Sequence, residues 1–429
     1  MILRRRKKRV LVIGLDGVSY SLLRKFCQQR ITPKIAEIIS QGYLSLMKAS
    51  LPEISAVSWT DFMTGTNSAN HGIFGFTDLK TGSYELRFPN FKDVRVPTLW
   101  EKIGQQGKKS LVINQPATYP ARPLNGILIS GFVAIDLAKA VYPPQEIERL
   151  KKINYLIDVD PMAIRANRQL LWSDLKKTLE STKRALNLYW NEDWDYLEIV
   201  ITGTDRLHHY FMKAAHRNDH PSHEAFLNYY REVDSFIGQI VDDFIKTKGS
   251  YDNIFLLSDH GFCELEKEVY LNSWLKKQGL LKFKNDEPQS LADIEDSSVA
   301  FALDPNRIYL HLKGKFPKGK IEVSERERWC EEIRRALLQL EHNGQKVVQA
   351  VYVAEEVYSG PLLPLGPDLI ALSYPSFDLK GSIKKKEIFY DSDLEGMHTY
   401  DDAFFWTTAK EWENLKIADS HQIILEKLA

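Results

Sequence analysis

The sequence has little cysteine, no long hydrophobic run and no excess of charge of either sign. Its three cysteines, in 429 residues, are too few and too widely spaced for a disulfide framework or a paired-cysteine metal knuckle. Lys plus Arg and Asp plus Glu both total 57, so the formal net charge is zero. A protein that coats nucleic acid without sequence specificity needs a net positive charge, so this class is excluded. We expect a protein of the reducing cytoplasm with no specific nucleic-acid partner. The sequence leaves the oligomeric state open.

A basic run, Arg4 to Arg9, precedes an apolar stretch, Val10–Leu15, which ends at Asp16. This stretch is too short for a signal-peptide core or a membrane span, and no run of about eighteen apolar residues occurs elsewhere. We therefore expect no membrane span and a solvated basic tail that leads into a strand. A weak contact of the tail with RNA or an anionic membrane surface is the alternative.

Short apolar runs alternate with helical patterns along the chain. Nearly continuous apolar runs that end in polar turns are typical of strands buried on both faces of a parallel sheet. These runs cover residues 10–15, 110–113, 197–202, 253–257 and 368–372. Apolar spacing between them predicts helices over 170–190 and 226–245. The sequence thus predicts an α/β fold over 1–429, a doubly wound and mostly parallel sheet with helices on both faces.

The stretch from about 264 to 360 breaks this alternation. It holds a predicted strand at 307–312 and an amphipathic helix at 324–340, which Ser324 and Glu327 are spaced to cap. We expect this stretch to be a smaller lobe inserted in the single domain. Ligands of doubly wound folds bind beyond the carboxyl ends of the strands, and we expect the lobe to lie over the site there.

Polar residues with metal-binding side chains follow the predicted strands. Asp16 follows the first strand. Asp205 and His209 would share one face of a helix that follows the strand predicted at 197–202. Asp259 and His260 lie in a turn after a fourth apolar run. Oxygen and nitrogen ligands of this kind suit zinc or manganese. Each residue also has a structural alternative, as a helix-capping Asp or as a surface or packed His.

Two further residues complete the candidate set. His398 stands alone in sequence, where a structural role is the default interpretation. Ser55 lies where a helix is expected to begin, so it either caps that helix or binds a metal ion and becomes a nucleophile. His208, beside His209, is expected to pack or to support a ligand rather than to bind metal.

The order of these residues along the chain resembles the alkaline phosphatase superfamily. Within it, the sequence is similar to the phosphohydrolases of the type I phosphodiesterase/nucleotide pyrophosphatase branch. The resemblance spans about 9–405 and includes the non-catalytic runs 64–76, 114–120 and 366–369. It implies an alkaline phosphatase-like fold, a small-molecule phosphoester substrate and two divalent metal ions. Zinc is the first expectation for these ions and manganese the alternative.

The resemblance also implies which residues hold the two ions. The first site would use Asp205, His209 and His398, and the second Asp16, Asp259, His260 and the Ser55 oxygen. Ser55 matches the family's nucleophile through its spacing to Thr64-Gly65 and His71-Gly72. Ser58 and Thr60 are the alternatives in register.

The implied reaction is an in-line displacement at phosphorus by a metal-activated Ser55. A covalent seryl intermediate forms and water then hydrolyses it, so the expected enzyme is a metal-dependent phosphodiesterase or phosphatase. One alternative is a phosphomutase of the same superfamily. Others are a phosphoethanolamine transferase, a sulfatase, and a non-catalytic protein that binds a phosphorylated ligand.

The sequence departs from its relatives at some positions. Phe76 stands where nucleotide pyrophosphatases place an Asn that contacts the substrate phosphate, which argues against nucleotide pyrophosphatase activity. Glu53 stands where many relatives have Pro. The Arg that clamps phosphate monoesters in alkaline phosphatases proper has no counterpart in the sequence. Aromatic side chains near the site, such as Trp59 and Tyr119, either pack in the core or stack on a base or lipid.

Overall fold

A computed structural model describes residues 8–428 of the chain. The basic residues 4–7, for which we predict a solvated tail, lie outside the described residues. The strands are β1 (Val10–Leu15), β2 (Tyr43–Lys48), β3 (Asp78–Leu79), β4 (Leu86–Arg87), β5 (Ser110–Gln115), β6 (Gly126–Ser130), β7 (Val141–Tyr142), β8 (Tyr196–Ile201), β9 (Ile254–Leu257), β10 (Gly261–Glu264), β11 (Lys267–Tyr270), β12 (Ala300–Leu303), β13 (Arg307–Leu310), β14 (Glu341–His342), β15 (Gln345–Lys346), β16 (Val348–Val353), β17 (Leu369–Ser373), β18 (Phe377–Lys380), β19 (Phe389–Tyr390), β20 (Gly396–Thr399), β21 (Ala403–Thr407) and β22 (Leu415–Lys416).

Helices lie in several of the connections between these strands and after the last strand. They are α1 (Tyr20–Gln28), α2 (Pro33–Ile39), α3 (Ser55–Thr64), α4 (Ser68–His71), α5 (Leu99–Gln105), α6 (Leu137–Ala140), α7 (Glu146–Lys152), α8 (Pro161–Ala166), α9 (Leu170–Tyr189), α10 (Gly203–His216), α11 (His223–Thr247), α12 (Leu271–Lys277), α13 (Arg326–Leu337), α14 (Ala354–Val357) and α15 (Ile417–Leu428). The helices predicted at 170–190 and 226–245 are confirmed as α9 and α11.

The central sheet has the strand order β22-β2-β21-β9-β1-β8-β5-β6-β7. β1 pairs in parallel with both β8 and β9, and β5 pairs in parallel with β8 and β6. The antiparallel pairs lie toward the sides of the sheet, where β21 joins β2 to β9 and β7 borders β6. The predicted doubly wound, mostly parallel sheet is therefore confirmed.

The residues of β1 explain why helices cover both faces of this sheet. All its residues are apolar or Gly and all are buried, so neither face of the strand can meet water. Leu11 and Ile13 pack in the core that contains the apolar side chains of α1, α2, α9, α10 and α11. Val10 and Val12 face the opposite way, into the core formed with α3, α5 and α15.

A second sheet has the order β12-β13-β17-β16, and three of its strands lie in the predicted lobe region, whereas β17 follows that region in sequence. The prediction that 368–372 is a strand of the central sheet is wrong, because β17 belongs to this second sheet. Leu369 packs with the residues of α13, whereas Ile370 packs against Leu51 and Phe74. An apolar run therefore reports burial on both faces, but it does not report which sheet the strand joins.

The lobe helix begins later than its sequence pattern predicts. The predicted helix is confirmed as α13, but its first residue is Arg326 and its N-cap is Glu325. Ser324 lies in a preceding 3-10 turn, where Glu325 accepts a hydrogen bond from the backbone N–H of Glu322 at 3.2 Å. The predicted capping box between Ser324 and Glu327 is therefore wrong, because the Glu325 side chain caps the 3-10 turn that precedes the helix.

Candidate active site

Three carboxylates converge at the carboxyl ends of neighbouring strands. β9, β1 and β8 are adjacent in the central sheet. Asp16 directly follows β1, Asp259 follows β9 after one residue, and Asp205 lies in the first turn of α10, which follows β8. All three side chains are buried. Parallel strands thus bring together acidic residues that are far apart in sequence.

The first group of candidate ligands consists of Asp205, His209 and His398. The Oδ1 atom of Asp205 lies 3.4 Å from Nε2 of His209, one turn later in α10, and 3.3 Å from Nε2 of His398. The two Nε2 atoms are 3.1 Å apart. His398 reaches this point because β20 pairs antiparallel with β10, which sets it opposite Phe262. The structure therefore brings together the three residues predicted for one site.

The second group consists of Asp16, Asp259 and His260. The Nε2 atom of His260 lies 3.2 Å from Oδ2 of Asp259 and 3.9 Å from Oδ1 of Asp16. One potential ligand atom from each of the three residues falls within 4.8 Å of the others. The structure therefore also brings together the residues predicted for the other site.

The hydroxyl of Ser55 points into this second group. Its Oγ atom lies 3.3 Å from Oδ1 of Asp16 and 3.1 Å from Nε2 of His260. Ser55 is the first residue of α3 and Ile54 is its N-cap, so the alternative in which Ser55 caps the helix is wrong. The hydroxyl sits instead in the positive field at the N-terminus of α3.

The two groups lie side by side. The rings of His260 and His398 stack with their centroids 3.7 Å apart and their planes 21° apart. Ligand atoms of Asp205, His260 and His398 also fall within 4.8 Å of one another. One continuous site thus offers carboxylate and imidazole groups from both predicted sets.

Backbone groups fix the orientation of three of the candidate ligands. The Nδ1 atom of His398 lies 2.8 Å from the carbonyl oxygen of Glu53, and Nδ1 of His260 lies 3.1 Å from that of Gly261. An imidazole whose Nδ1–H donates to a carbonyl presents the lone pair of Nε2 to the site. The N–H of Gly17 donates to Oδ1 of Asp259 at 3.0 Å, which leaves Oδ2 facing His260.

Electrostatics favour a cation in this site. Burial raises the pKa of Asp16 well above its usual range, and the neighbouring Asp259 carboxylate raises it further. Burial also raises the pKa of Asp259 to about 6. Burial lowers the pKa of His209 to about 4 and that of His260 well below its usual value, so both imidazoles are neutral, as a metal ligand must be.

Unpaired atoms test whether metal ions fit. Oδ1 of Asp205 and Oδ2 of Asp259 are buried and make no hydrogen bond, which is costly for a carboxylate without a cation. Their neighbours in the site are the imidazoles of His209, His260 and His398 and further carboxylates, and the Arg206 guanidinium lies beside the other oxygen of Asp205. This donor set fits two divalent ions of the zinc or manganese type.

His208 lies where the sequence places it, behind the ligands. Its Nδ1 atom is 2.9 Å from the carbonyl oxygen of Gly17, and its Nε2 atom is 2.7 Å from the Tyr230 hydroxyl. One ring nitrogen therefore supports the turn that follows Asp16, and the other contacts α11, so neither is free to bind a metal ion.

Sequence reasoning missed a contact between the lobe and the site. The buried carboxyl group of Glu53 accepts hydrogen bonds from the side-chain amide of Asn306 at 3.0 and 3.3 Å. Burial raises the pKa of Glu53 to about 7. The unusual residue type at this position was the one available signal, and no pattern linked it to Asn306.

Sequence reasoning also missed a cation beside the first group. A guanidinium nitrogen of Arg206 lies 3.5 Å from Oδ2 of Asp205, and another pairs with Asp158 at 2.6 Å. The same guanidinium lies over the ring of Phe132 at 3.9 Å. Arg206 directly follows a candidate ligand in sequence, but its partners come from distant segments that no spacing reveals.

Known proteins place this geometry in a class of hydrolases. The chain belongs to the type I phosphodiesterase/nucleotide pyrophosphatase family, whose sequence profile matches residues 10–401. The predicted enzyme class, a phosphoric ester hydrolase of the alkaline phosphatase superfamily, is confirmed by this membership. No curated protein sequence matches the chain.

Solved structures resemble the chain over almost its whole length. Phosphonoacetate hydrolase from Sinorhizobium meliloti, in complex with phosphonoformate, has a TM-score of 0.65 at 14% identity and covers 99% of this chain and 96% of its own. The murine ectonucleotide pyrophosphatase/phosphodiesterase 5 has a TM-score of 0.55 at 14% identity, with 98% and 95% covered. The human protein of that name has a TM-score of 0.57 at 14% identity, with the same coverage. At these identities the likeness establishes the fold, which confirms the predicted alkaline phosphatase-like architecture.

Within residues 8–428, the structure has no helix that is both long enough and apolar enough to cross a membrane.

Proposed function

We propose that this protein is a two-metal-dependent phosphodiesterase or phosphatase with Ser55 as its nucleophile. The observation that supports this most strongly is the place of the Ser55 hydroxyl, 3.3 Å from Oδ1 of Asp16 and 3.1 Å from Nε2 of His260. A hydroxyl with these neighbours at a helix N-terminus is set for deprotonation rather than for packing.

The proposed metal ligands follow the two groups in the structure. Asp205, His209 and His398 would hold one ion, and Asp16, Asp259, His260 and the Ser55 oxygen the other. Zinc is the ion we favour and manganese the alternative, because mixed carboxylate and imidazole ligands suit both. When bound, such ions lower the pKa of a nearby hydroxyl and offset the charge on phosphoryl oxygens.

The chain's own residues then carry out a double displacement. The Oγ atom of Ser55 gives up its proton to solvent water and bonds to phosphorus, while the bond from phosphorus to the leaving oxygen breaks. The leaving oxygen takes up a proton from water as it departs. A water molecule next attacks the same phosphorus, the bond from phosphorus to Oγ breaks, and a proton from that water restores the Ser55 hydroxyl as the phosphate or phosphomonoester leaves. The positive N-terminus of α3 stabilises negative charge at this oxygen throughout.

We propose the cytoplasm as the compartment and one domain over 1–429, with 264–360 as its inserted lobe. The free state of Cys27, Cys263 and Cys330 supports a reducing compartment. The hydrogen bonds from Asn306 to Glu53 support a lobe that belongs to the same folding unit as the site. The substrate would be a small-molecule phosphoester that enters between this lobe and the central sheet.

Hydrolysis of two model esters tests the proposal. The purified chain is loaded with zinc or manganese and assayed with p-nitrophenyl phosphate and bis-p-nitrophenyl phosphate, with the Ser55→Ala variant as the blank. We expect turnover well above the blank with at least one ester. A faster diester rate would identify a phosphodiesterase, and a faster monoester rate a phosphatase. Equal rates in the wild type and the blank for both esters would contradict the proposal.

A further inference from the structure

An apolar cavity of about 630 Å³ lies against α3, the helix that begins at the candidate nucleophile. Ala56, the residue after Ser55, and Thr60, one turn further along α3, form one of its walls. Phe76 packs against the same first turn of α3. The volume lies in the range of small-molecule sites. A substituent carried by a phosphoryl group at Ser55 would therefore have this cavity within reach along the first turns of α3.

The lining of the cavity offers little to a polar ligand. Among the described residues, no charged side chain lines it. The Thr60 hydroxyl already donates to the carbonyl oxygen of Ala56 at 2.6 Å, and the side-chain oxygen of Asn90 accepts from the N–H of Lys92 at 3.0 Å. The Asn90 amide nitrogen and the Tyr119 hydroxyl are the side-chain groups left to bind a ligand. A sugar or a nucleobase would lose more hydrogen bonds with water here than it could form.

The aromatic rings of the cavity are not arranged as a slot for a flat base. The rings of Phe76 and Phe132 meet edge to face, with centroids 5.5 Å apart and planes at 72°. One face of Phe132 is covered by the guanidinium of Arg206 at 3.9 Å. A base that stacks needs a free ring face or two parallel rings, whereas an aliphatic chain needs only apolar surface.

The outer end of the cavity is also apolar. Phe88 and Ile135 line it and are 74% and 88% exposed. Large apolar side chains exposed together mark a surface that binds an apolar partner. A chain that fills the cavity would continue across these two residues toward solvent.

We propose that this cavity binds an aliphatic chain carried by the substrate, so that the substrate class is a lipid-like phosphoester. The inference rests on the proposed function, because it assumes that the phosphoryl group is bound beside Ser55. It goes further in that it names the substituent and assigns Phe76, Phe132, Phe88 and Ile135 to its recognition.

Binding of alkylphosphonates tests the inference without any turnover. The zinc-loaded wild-type chain is titrated calorimetrically with methylphosphonate, octylphosphonate and thymidine 5′-monophosphate. A buried methylene contributes up to about fourfold in affinity, so we expect octylphosphonate to bind at least about tenfold more tightly than methylphosphonate. We expect thymidine 5′-monophosphate to bind no more tightly than methylphosphonate.

Substitutions at the outer end give matched variants. Phe88→Asp and Ile135→Asp should each weaken octylphosphonate binding at least about fivefold and leave methylphosphonate binding unchanged. Val323→Asp is the control, because Val323 is 68% exposed but lies outside this cavity. It should change neither affinity.

The outcomes separate this inference from the proposed function. Equal affinity for the two phosphonates, or tighter binding of the nucleotide, would overturn the aliphatic assignment and leave the hydrolase proposal standing. Failure of the zinc-loaded chain to bind any of the three ligands would count against the phosphoryl site itself, and against this inference with it.

Discussion

The Oγ atom of Ser55 lies 3.1 Å from Nε2 of His260, although 205 residues of sequence separate the two. His260 follows β9 and Ser55 begins a helix on one face of the same sheet. The contact forms because β9 and β1 are neighbours and because α3 packs with its N-terminus toward their carboxyl ends. The contact connects a candidate nucleophile with a candidate metal ligand. The two roles can be told apart by measuring turnover and metal content in the same variants.

Ser55→Ala should abolish turnover and leave the metal content near that of the wild type. The variant removes the attacking oxygen, while the carboxylate and imidazole ligands stay in place. Steady-state rates with p-nitrophenyl esters and elemental analysis of the same preparation check both parts. A variant that retains more than a tenth of the wild-type rate would show that another residue is the nucleophile.

Ser58→Ala is the matched control for this variant. Ser58 lies in the same helix and is equally buried, but its hydroxyl oxygen accepts a hydrogen bond from the backbone N–H of Ser50 at 3.2 Å. We expect a stability loss of about 1 kcal/mol and a rate of the wild-type order. Loss of turnover here, with turnover intact in Ser55→Ala, would move the nucleophile one turn along α3.

Asp259→Asn should weaken retention of one metal ion. Oδ1 of Asp259 accepts a hydrogen bond from the N–H of Gly17, and Oδ2 faces His260. The substitution replaces the carboxylate with a neutral amide, so either an amide nitrogen or an uncharged oxygen faces His260. Dialysis against a chelator followed by elemental analysis should leave about one ion per chain, compared with two in the wild type.

Asp234→Asn provides the comparison for that loss. Asp234 is also buried and its carboxylate also accepts backbone hydrogen bonds, from the N–H groups of Lys34 and Ile35. It lies outside both ligand groups, so this variant should keep two ions. The same metal content in Asp259→Asn as in wild type would remove Asp259 from the ligand set.

Gly17→Ala should disturb the site more than its backbone strain alone explains. Gly17 has a φ of +68°, and an added Cβ would lie 3.0 Å from the Phe262 ring and 3.3 Å from the Cα of Asp205. Gly107 has a φ of +75° and nothing within 4 Å, so Gly107→Ala measures the strain alone, about 1 kcal/mol. We expect at least about a tenfold loss of kcat/KM in Gly17→Ala and none in Gly107→Ala. Equal activities would show that the turn at Gly17 does not position the ligands.

Glu198→Gln should flatten the pH dependence of stability. Glu198 is buried in β8, and burial raises its pKa from 4.5 to about 8, although the Tyr196 hydroxyl donates to it. Between these two values the unfolded chain is ionised and the folded chain is protonated. The contribution of Glu198 to the free energy of unfolding is therefore fully present below about pH 4.5 and is lost as the pH rises to about 8.

Urea unfolding at pH 5.5 and pH 8.0 measures this effect. The contribution of Glu198 falls by roughly 3 kcal/mol across that range, which the Gln variant should not show. The difference between the two proteins isolates this residue from the other titrating groups. Parallel pH dependences in the wild type and the variant would mean that Glu198 is ionised in the folded state.

The sequence was sufficient to predict the parallel sheet and the polar residues that lie at its edge, because both depend on local pattern. Buried runs such as β1 and the spacing of Asp205 and His209 translate directly into a strand and a shared helix face. The ends of parallel strands then have to meet at one edge, so residues such as Asp16 and Asp259 could be brought together before the fold was seen.

Contacts between distant segments could not be predicted in this way. The bonds between Glu53 and Asn306, and the place of Arg206 over Phe132, depend on how the lobe and loops pack. Which sheet β17 joins likewise depends on tertiary packing, because the apolar pattern of this strand fits either sheet. The apolar cavity beside α3 arises from several such segments at once, which explains why its aromatic residues had no clear role in the sequence.

The most direct test of the account is to trap the covalent intermediate. The zinc-loaded enzyme is quenched in acid during turnover of p-nitrophenyl phosphate, digested, and examined by mass spectrometry for phosphoryl groups on the peptide that contains Ser55. We expect a phosphoryl group on Ser55, and none in the Ser55→Ala protein. Turnover at the full rate with the phosphoryl group on another residue would contradict it.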